Sequence, residues 1–148
     1  VTPDVNVVVA ASRSDHPHHQ RALSWLQRAL EECRTGGSFQ LLPMVATAFL
    51  RLVTNPKVFP QPTPLADALD FLEAIMQVPG AEMPELGREW KAFTQLCRAG
   101  PGRAVFTGNR IPDAWIAAAV ISGGYHLVTF DRGFSDLLAP GARTILAP

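Results

Sequence analysis

Few residue types are in excess in this sequence, and each shortage excludes something. Its 148 residues include two cysteines. Cys33 and Cys97 lie far apart with no CxxC spacing, which argues against a disulfide framework or a thiolate zinc site and for two reduced thiols. Neither sign of charge prevails: 13 basic and 13 acidic residues cancel. That balance argues against a chain that coats a polyanion through bulk charge, yet it leaves room for a basic rim around an acidic pocket. No apolar run reaches the ~18 residues of a membrane span. No basic segment followed by an apolar stretch opens the chain, so no export signal is read and the cytoplasm is the expected location. Lysine is reduced to Lys57 and Lys91. The four histidines do not suggest zinc, because His16, His18 and His19 share one polar stretch and His126 stands alone.

What remains is an ordinary globular composition, 47% hydrophobic and 18% charged. The length fits one domain over residues 1–148, large enough to bury a core without a structural metal. Val5–Ala11 (VNVVVAA) reads as a β-branched central strand, apolar on both faces, with Asp4 as its first residue. Helices are expected over His18–Arg34, Met44–Val53, Leu65–Met76, Pro84–Cys97 and Pro112–Gly123. In the fourth of these, Trp90, Phe93 and Leu96 read as the core face. Asn55-Pro56 stops the second helix, and the prolines of residues 57–64 mark an irregular connection. Phe39–Leu42 and Val78–Met83 are short strand candidates, His126–Phe130 is a clear strand, and Thr144–Leu146 closes the chain. Strands alternating with helices predict an α/β fold with a central parallel sheet flanked by helices.

Reactive crevices of such sheets lie at the carboxyl ends of strands. Three aspartates stand beside suitable segments: Asp4 at the first strand, Asp113 at the start of the alanine-rich helix, and Asp131 directly after HLVTF. Each has a structural alternative. Asp4 can cap a turn, Asp113 can complement a helix dipole, and Asp131 can organise the Asp131-Arg132-Gly133 turn. Clustered carboxylates repel unless a cation joins them, and the natural one is a hard divalent ion such as Mg2+ or Mn2+.

The ordered blocks carry a further signal. Pro3-Asp4-Val5-Asn6, the stretch from Phe49 to Phe59 (FLRLVTNPKVF), Asp113–Ala119 (DAWIAAA) and Leu127–Phe134 (LVTFDRGF) together resemble a PIN-domain toxin. More narrowly, they resemble the VapC component of a VapBC toxin–antitoxin pair. The resemblance spans nearly the whole chain. It implies a PIN-like three-layer fold and a Mg2+- or Mn2+-dependent endoribonuclease acting on RNA such as tRNA or rRNA. It also implies a homodimer and a VapB-type antitoxin that suppresses the activity. Asp4, Asp113 and Asp131 match family acids that bind metal and catalyse. Thr129 and Asn6 match supporting positions, and Asn109 falls in the polar segment before the helix-start acid. Arg103 and Arg110, in or beside the glycine-rich Gly100–Gly108 stretch, are candidate contacts for RNA phosphates, with a solvated surface as the alternative.

One position departs from the pattern. The family glutamate expected before Phe-Leu-Arg is Ala48 here, and alanine cannot ligate a metal. Its neighbour Thr47 would point about 100° away around a helix, and Glu82, Glu85 or Glu89 are the candidate substitutes. A second reading follows, a PIN-like module that binds antitoxin or RNA without useful catalysis. A phospho-accepting receiver domain is a third reading. It needs an acid pair near the first strand and a late lysine, and the sequence offers neither.

Overall fold

The computed structural model describes residues 1–99, 108 and 110–147. Among the described residues, five short strands and six α-helices alternate along the chain. They are β1 (Thr2–Pro3), α1 (Val5–Ser12), α2 (His19–Arg34), β2 (Phe39–Gln40), α3 (Pro43–Val53) and α4 (Leu65–Met76). Then come β3 (Ala81–Glu82), α5 (Trp90–Ala99), α6 (Arg110–Gly123), β4 (Leu127–Thr129) and β5 (Arg143–Ile145). Every strand pairing is parallel, in the order β1-β4-β5 and, separately, β2-β3. The Gln40 N–H donates to the Val1 carbonyl at 2.8 Å and ties the smaller pair to the β1 edge. The α/β class expected from the alternation is therefore observed, with a narrower and more divided sheet than the sequence suggests.

The largest departure is at the start. Val5–Ala11 is helical, and β1 is only the two residues before Asp4. Asp4 has extended backbone and its carboxylate accepts the Val5 N–H at 2.6 Å, which starts the helix as an N-cap. Val7, Val8, Val9, Ala10 and Ala11 are all buried, because α2, α3 and β4 pack around this one short helix. A helix buried on every side has the same all-apolar composition as a buried strand, so periodicity cannot separate the two. Tertiary packing then outweighs the β-branched preference.

Elsewhere the boundaries lie close to expectation. Gly36 takes φ +106° just beyond α2, a backbone state open to glycine at little cost. The fifth helix starts at Trp90 rather than Pro84. Before it, the buried Glu89 carboxylate accepts the Gly87 N–H at 2.7 Å, which holds that stretch in a non-helical turn. Trp90 is also not core: it is 63% exposed. Cys33 is buried, Cys97 is half-buried, and both are free thiols. Among the described residues no helix is long and apolar enough to cross a membrane.

Candidate active site

Three chain segments converge where β1 and β4 end side by side. Thr2 pairs with Leu127 and Pro3 with Val128, so Asp4, one residue past β1, comes level with Thr129, the last residue of β4. The Thr129 hydroxyl is fully buried and donates to Asp4 Oδ2 at 2.6 Å. A hydroxyl has one proton to give, so its remaining contacts are as acceptor. It accepts Asn6 Nδ2 at 3.1 Å and the Asp131 N–H at 2.9 Å. Asn6 Oδ1 in turn accepts the Phe130 N–H at 3.2 Å. This network fixes Asp4 and the start of the Asp131 turn relative to each other. Asp131 Oδ1 accepts the Gly133 N–H at 2.7 Å. Asp4 and Asp131 thus fill the capping and turn roles that each residue alone suggested, and they also face a common space.

That space is a cavity of about 720 Å³ lined by Asp4, Asn6, Asp113 and Asp131, together with Ala48, Arg51 and a set of apolar side chains. Asp113 reaches it from the first turn of α6, whose N-terminal dipole favours an anion. Burial pushes the Asp4 carboxyl up to about 6; Asp113 and Asp131 add to this, against the Thr129 and Val5 hydrogen bonds. The Asp113 carboxyl is also raised, first by burial and then by Asp131, with Arg110 opposing. Each shift carries the mark of like charges gathered in a partly dry pocket.

The donor set suits a hard divalent ion, because the ligating groups are carboxylate oxygens, in a pocket that disfavours their charge. Among the described residues, no three His, Cys, Asp or Glu side chains stand close enough to hold one ion together. That spacing matches the habit of Mg2+, which keeps several waters and takes only one or two carboxylates directly.

Ala48 does line the cavity, so the residue in the departing position faces the acids and brings no oxygen. Thr47 is exposed and donates to the Pro43 carbonyl at 2.9 Å. Glu85 and Glu89 line a different cavity with Tyr125, and Glu82 is exposed on β3. None of them replaces the missing acid among the lining residues. Arg110 pairs with Asp136 at 3.3 Å, and its charge reaches Asp113. Arg103 and Asn109 lie outside the described residues.

Besides several aliphatic side chains, the lining includes Arg51 and Trp115, neither of which the sequence singles out. Arg51 stands three positions after Ala48, on the same face of α3, and that spacing was a usable signal. Trp115 stands two after Asp113 and lines the cavity with Ile111, Pro112 and Ile116. Nothing in a helical pattern distinguishes it from a core tryptophan.

Comparison with known proteins shows the family and the fold. A family model described as PIN domain matches residues 1–138. Ribonuclease VapC25 of Mycobacterium tuberculosis is 35% identical over 133 residues, covering 89% of each chain. Ribonuclease VapC43 of the same species is also 35% identical over 133 residues, covering 89% of this chain and 86% of the relative. Among solved structures, VapBC2 from Rickettsia felis bound to a DNA fragment from their promoter aligns with a TM-score of 0.68. At 16% identity over 97% of this chain and 96% of that one, it reports on the fold alone.

Proposed function

The chain belongs to the PIN-domain family, among its VapC ribonucleases, and from that premise we propose that Asp4, Asp113 and Asp131 are its catalytic acids. The function is that of a toxin of a type II toxin–antitoxin system, a metal-dependent endoribonuclease. The observation that carries the assignment of roles is the convergence of three aspartates from distant stretches on one cavity, each pair coupled through its charge.

One or two of Asp4, Asp113 and Asp131 would hold Mg2+ or Mn2+ directly, the remainder acting through water that completes the coordination. When bound, such an ion supplies Lewis acidity to a phosphodiester and to a nucleophilic water. The protein's own part is positional. Thr129 keeps one Asp4 oxygen hydrogen-bonded, and Val5 N–H holds the other, so the carboxylate cannot swing. Asn6 holds the Phe130 backbone and, with Thr129, sets where Asp131 begins. Arg51 is available to a phosphate oxygen at the cavity, and Arg110 lies one turn from Asp113. Arg103 is carried over as a phosphate contact on sequence alone.

The RNA is structured RNA of the tRNA or rRNA class, and a VapB-type antitoxin covers the cavity. The toxin acts in the cytoplasm as a homodimer of a single domain. Replacing Asp4 by Asn keeps the side chain's shape and removes its charge. Metal-dependent RNA cleavage by purified protein is then expected to fall by at least a hundredfold. Undiminished, EDTA-sensitive cleavage in that variant would overturn the assignment.

Ala48 supports a second reading, a module of weak or absent catalysis, because no glutamate replaces the family acid at the cavity. Ala48→Glu separates the two readings. Cleavage that appears only in the variant favours the inactive module; cleavage already present in the parent favours the enzyme.

A further inference from the structure

The cavity has a second chemical character that its acids do not use. Trp115, Ile111, Pro112 and Ile116 give it apolar lining from α6, and Met44 and Leu52 give more from α3. Holding a cation or a phosphate requires none of these surfaces. From Trp115 the aromatic surface continues outward. Phe93 of α5 meets the Trp115 ring edge-on, with centroids 4.5 Å apart and planes at 66°. Trp90 lies 5.6 Å from Phe93 and 6.1 Å from Trp115. Phe93 and Trp115 are half-buried where α5 packs on α6, so the trio sits on two helices fastened together. Trp90 ends the series in the open.

We propose that Trp115, Phe93 and Trp90 form a stacking subsite for an unpaired nucleobase of the RNA, continuous with the acid cavity. The proposal rests on the ribonuclease reading and adds to it a means of gripping the substrate beside the scissile phosphate. An RNA strand offers both things this region accepts, a flat π face for the aromatic rings and an anionic backbone for Arg51. A base held in a duplex keeps its faces against its neighbours, so the ledge favours strands and loops whose bases can leave the stack. A second copy of the chain is a poorer occupant. Stable protein interfaces bury about 800 Å² on each partner. A large aromatic side chain supplies only about 150–250 Å², and two of the three rings here are already half-buried.

Binding is measured in EDTA, where no cleavage occurs, by fluorescence anisotropy of a short mixed-sequence RNA, single-stranded or annealed to its complement. Trp90→Ala is expected to weaken single-strand binding by roughly tenfold or more while leaving duplex binding within twofold. Trp90→Tyr, which keeps a ring, is expected to stay near the parent. A Trp115→Phe variant reads the inner end of the ledge and is expected to lie between them. Unchanged single-strand affinity in Trp90→Ala overturns the proposal, and so does a change in sedimentation with RNA binding intact, which would show a second copy covering the ledge. A parallel Mn2+ cleavage assay of the parent separates the two levels. Cleavage by the parent with unaltered binding in Trp90→Ala removes the stacking subsite alone, whereas a parent that neither binds nor cleaves RNA removes the ribonuclease reading as well.

Discussion

The two ends of α1 hold the two most instructive buried charges in the molecule, and they are treated in opposite ways. At its N-terminus Asp4 is 5% exposed, and at its C-terminal boundary Arg13 is 8% exposed. Both signs agree with the helix dipole. Arg13 is then surrounded by compensation. Its Nε and Nη2 donate to Asp15 at 3.0 and 2.7 Å, Nη1 donates to Thr63 at 3.0 Å, and Nη2 also donates to the Gln61 carbonyl at 3.1 Å. The guanidinium carbon sits 4.0 Å above the Phe59 ring. Asp4 has hydrogen bonds too, but the charges it faces are Asp113 and Asp131. Two buried charges nine positions apart therefore do different work. The satisfied one fastens the proline-rich 57–64 connection to the core; the frustrated one faces like charges across the cavity.

Breaking the satisfied end has the largest expected effect on stability. Arg13→Met keeps much of the aliphatic bulk and removes four hydrogen bonds to partners on three residues. A loss of about 3–4 kcal/mol of unfolding free energy is expected in urea denaturation. Mn2+ binding by the remaining folded fraction should be unchanged. A variant as stable as the parent would mean that the Arg13 cluster is incidental.

The frustrated end is sharpened by pH. The Asp4 carboxyl titrates near 6 in the fold against an ordinary value of 3.8. Between those values the folded state holds a proton that the unfolded state has released, so stability falls as pH rises from about 4 to about 6. From Asp4 alone the loss is on the order of 3 kcal/mol, and Asp113 shifts in the same direction. Metal-free protein is expected to melt at a higher temperature at pH 5 than at pH 7.5. Asp4→Asn should flatten that slope, and Mn2+ should raise the melting temperature of the parent at pH 7.5. A melting temperature that rises with pH over this interval would contradict the shift.

The difference between these two ends also explains what the sequence could reveal. The three aspartates were legible because each is followed or preceded by a recognisable block, and the helices at residues 65–76 and 43–53 carry clear apolar periodicity. Val5–Ala11 was not legible, because an all-apolar run has no face to report. Arg13 gave no signal either, since its partners Gln61, Thr63 and Phe59 lie some fifty residues downstream in a stretch that reads only as irregular. Trp90 reads as inward from its spacing with Phe93 and Leu96, yet it is exposed. Spacing places it on their face of the helix but does not say whether α6 extends far enough to cover it.

Asp4, Asp113 and Asp131 are proposed to serve one hydrated cation, directly or through its waters, rather than merely to line a pocket. Calorimetric titration of Mn2+ into metal-free protein at pH 7.5, for the parent and for Asp4→Asn, tests it directly. Saturable binding by the parent and an affinity at least tenfold weaker in the variant are expected. Equal Mn2+ affinity in the two proteins would contradict the account and leave the aspartates with their capping and turn roles alone.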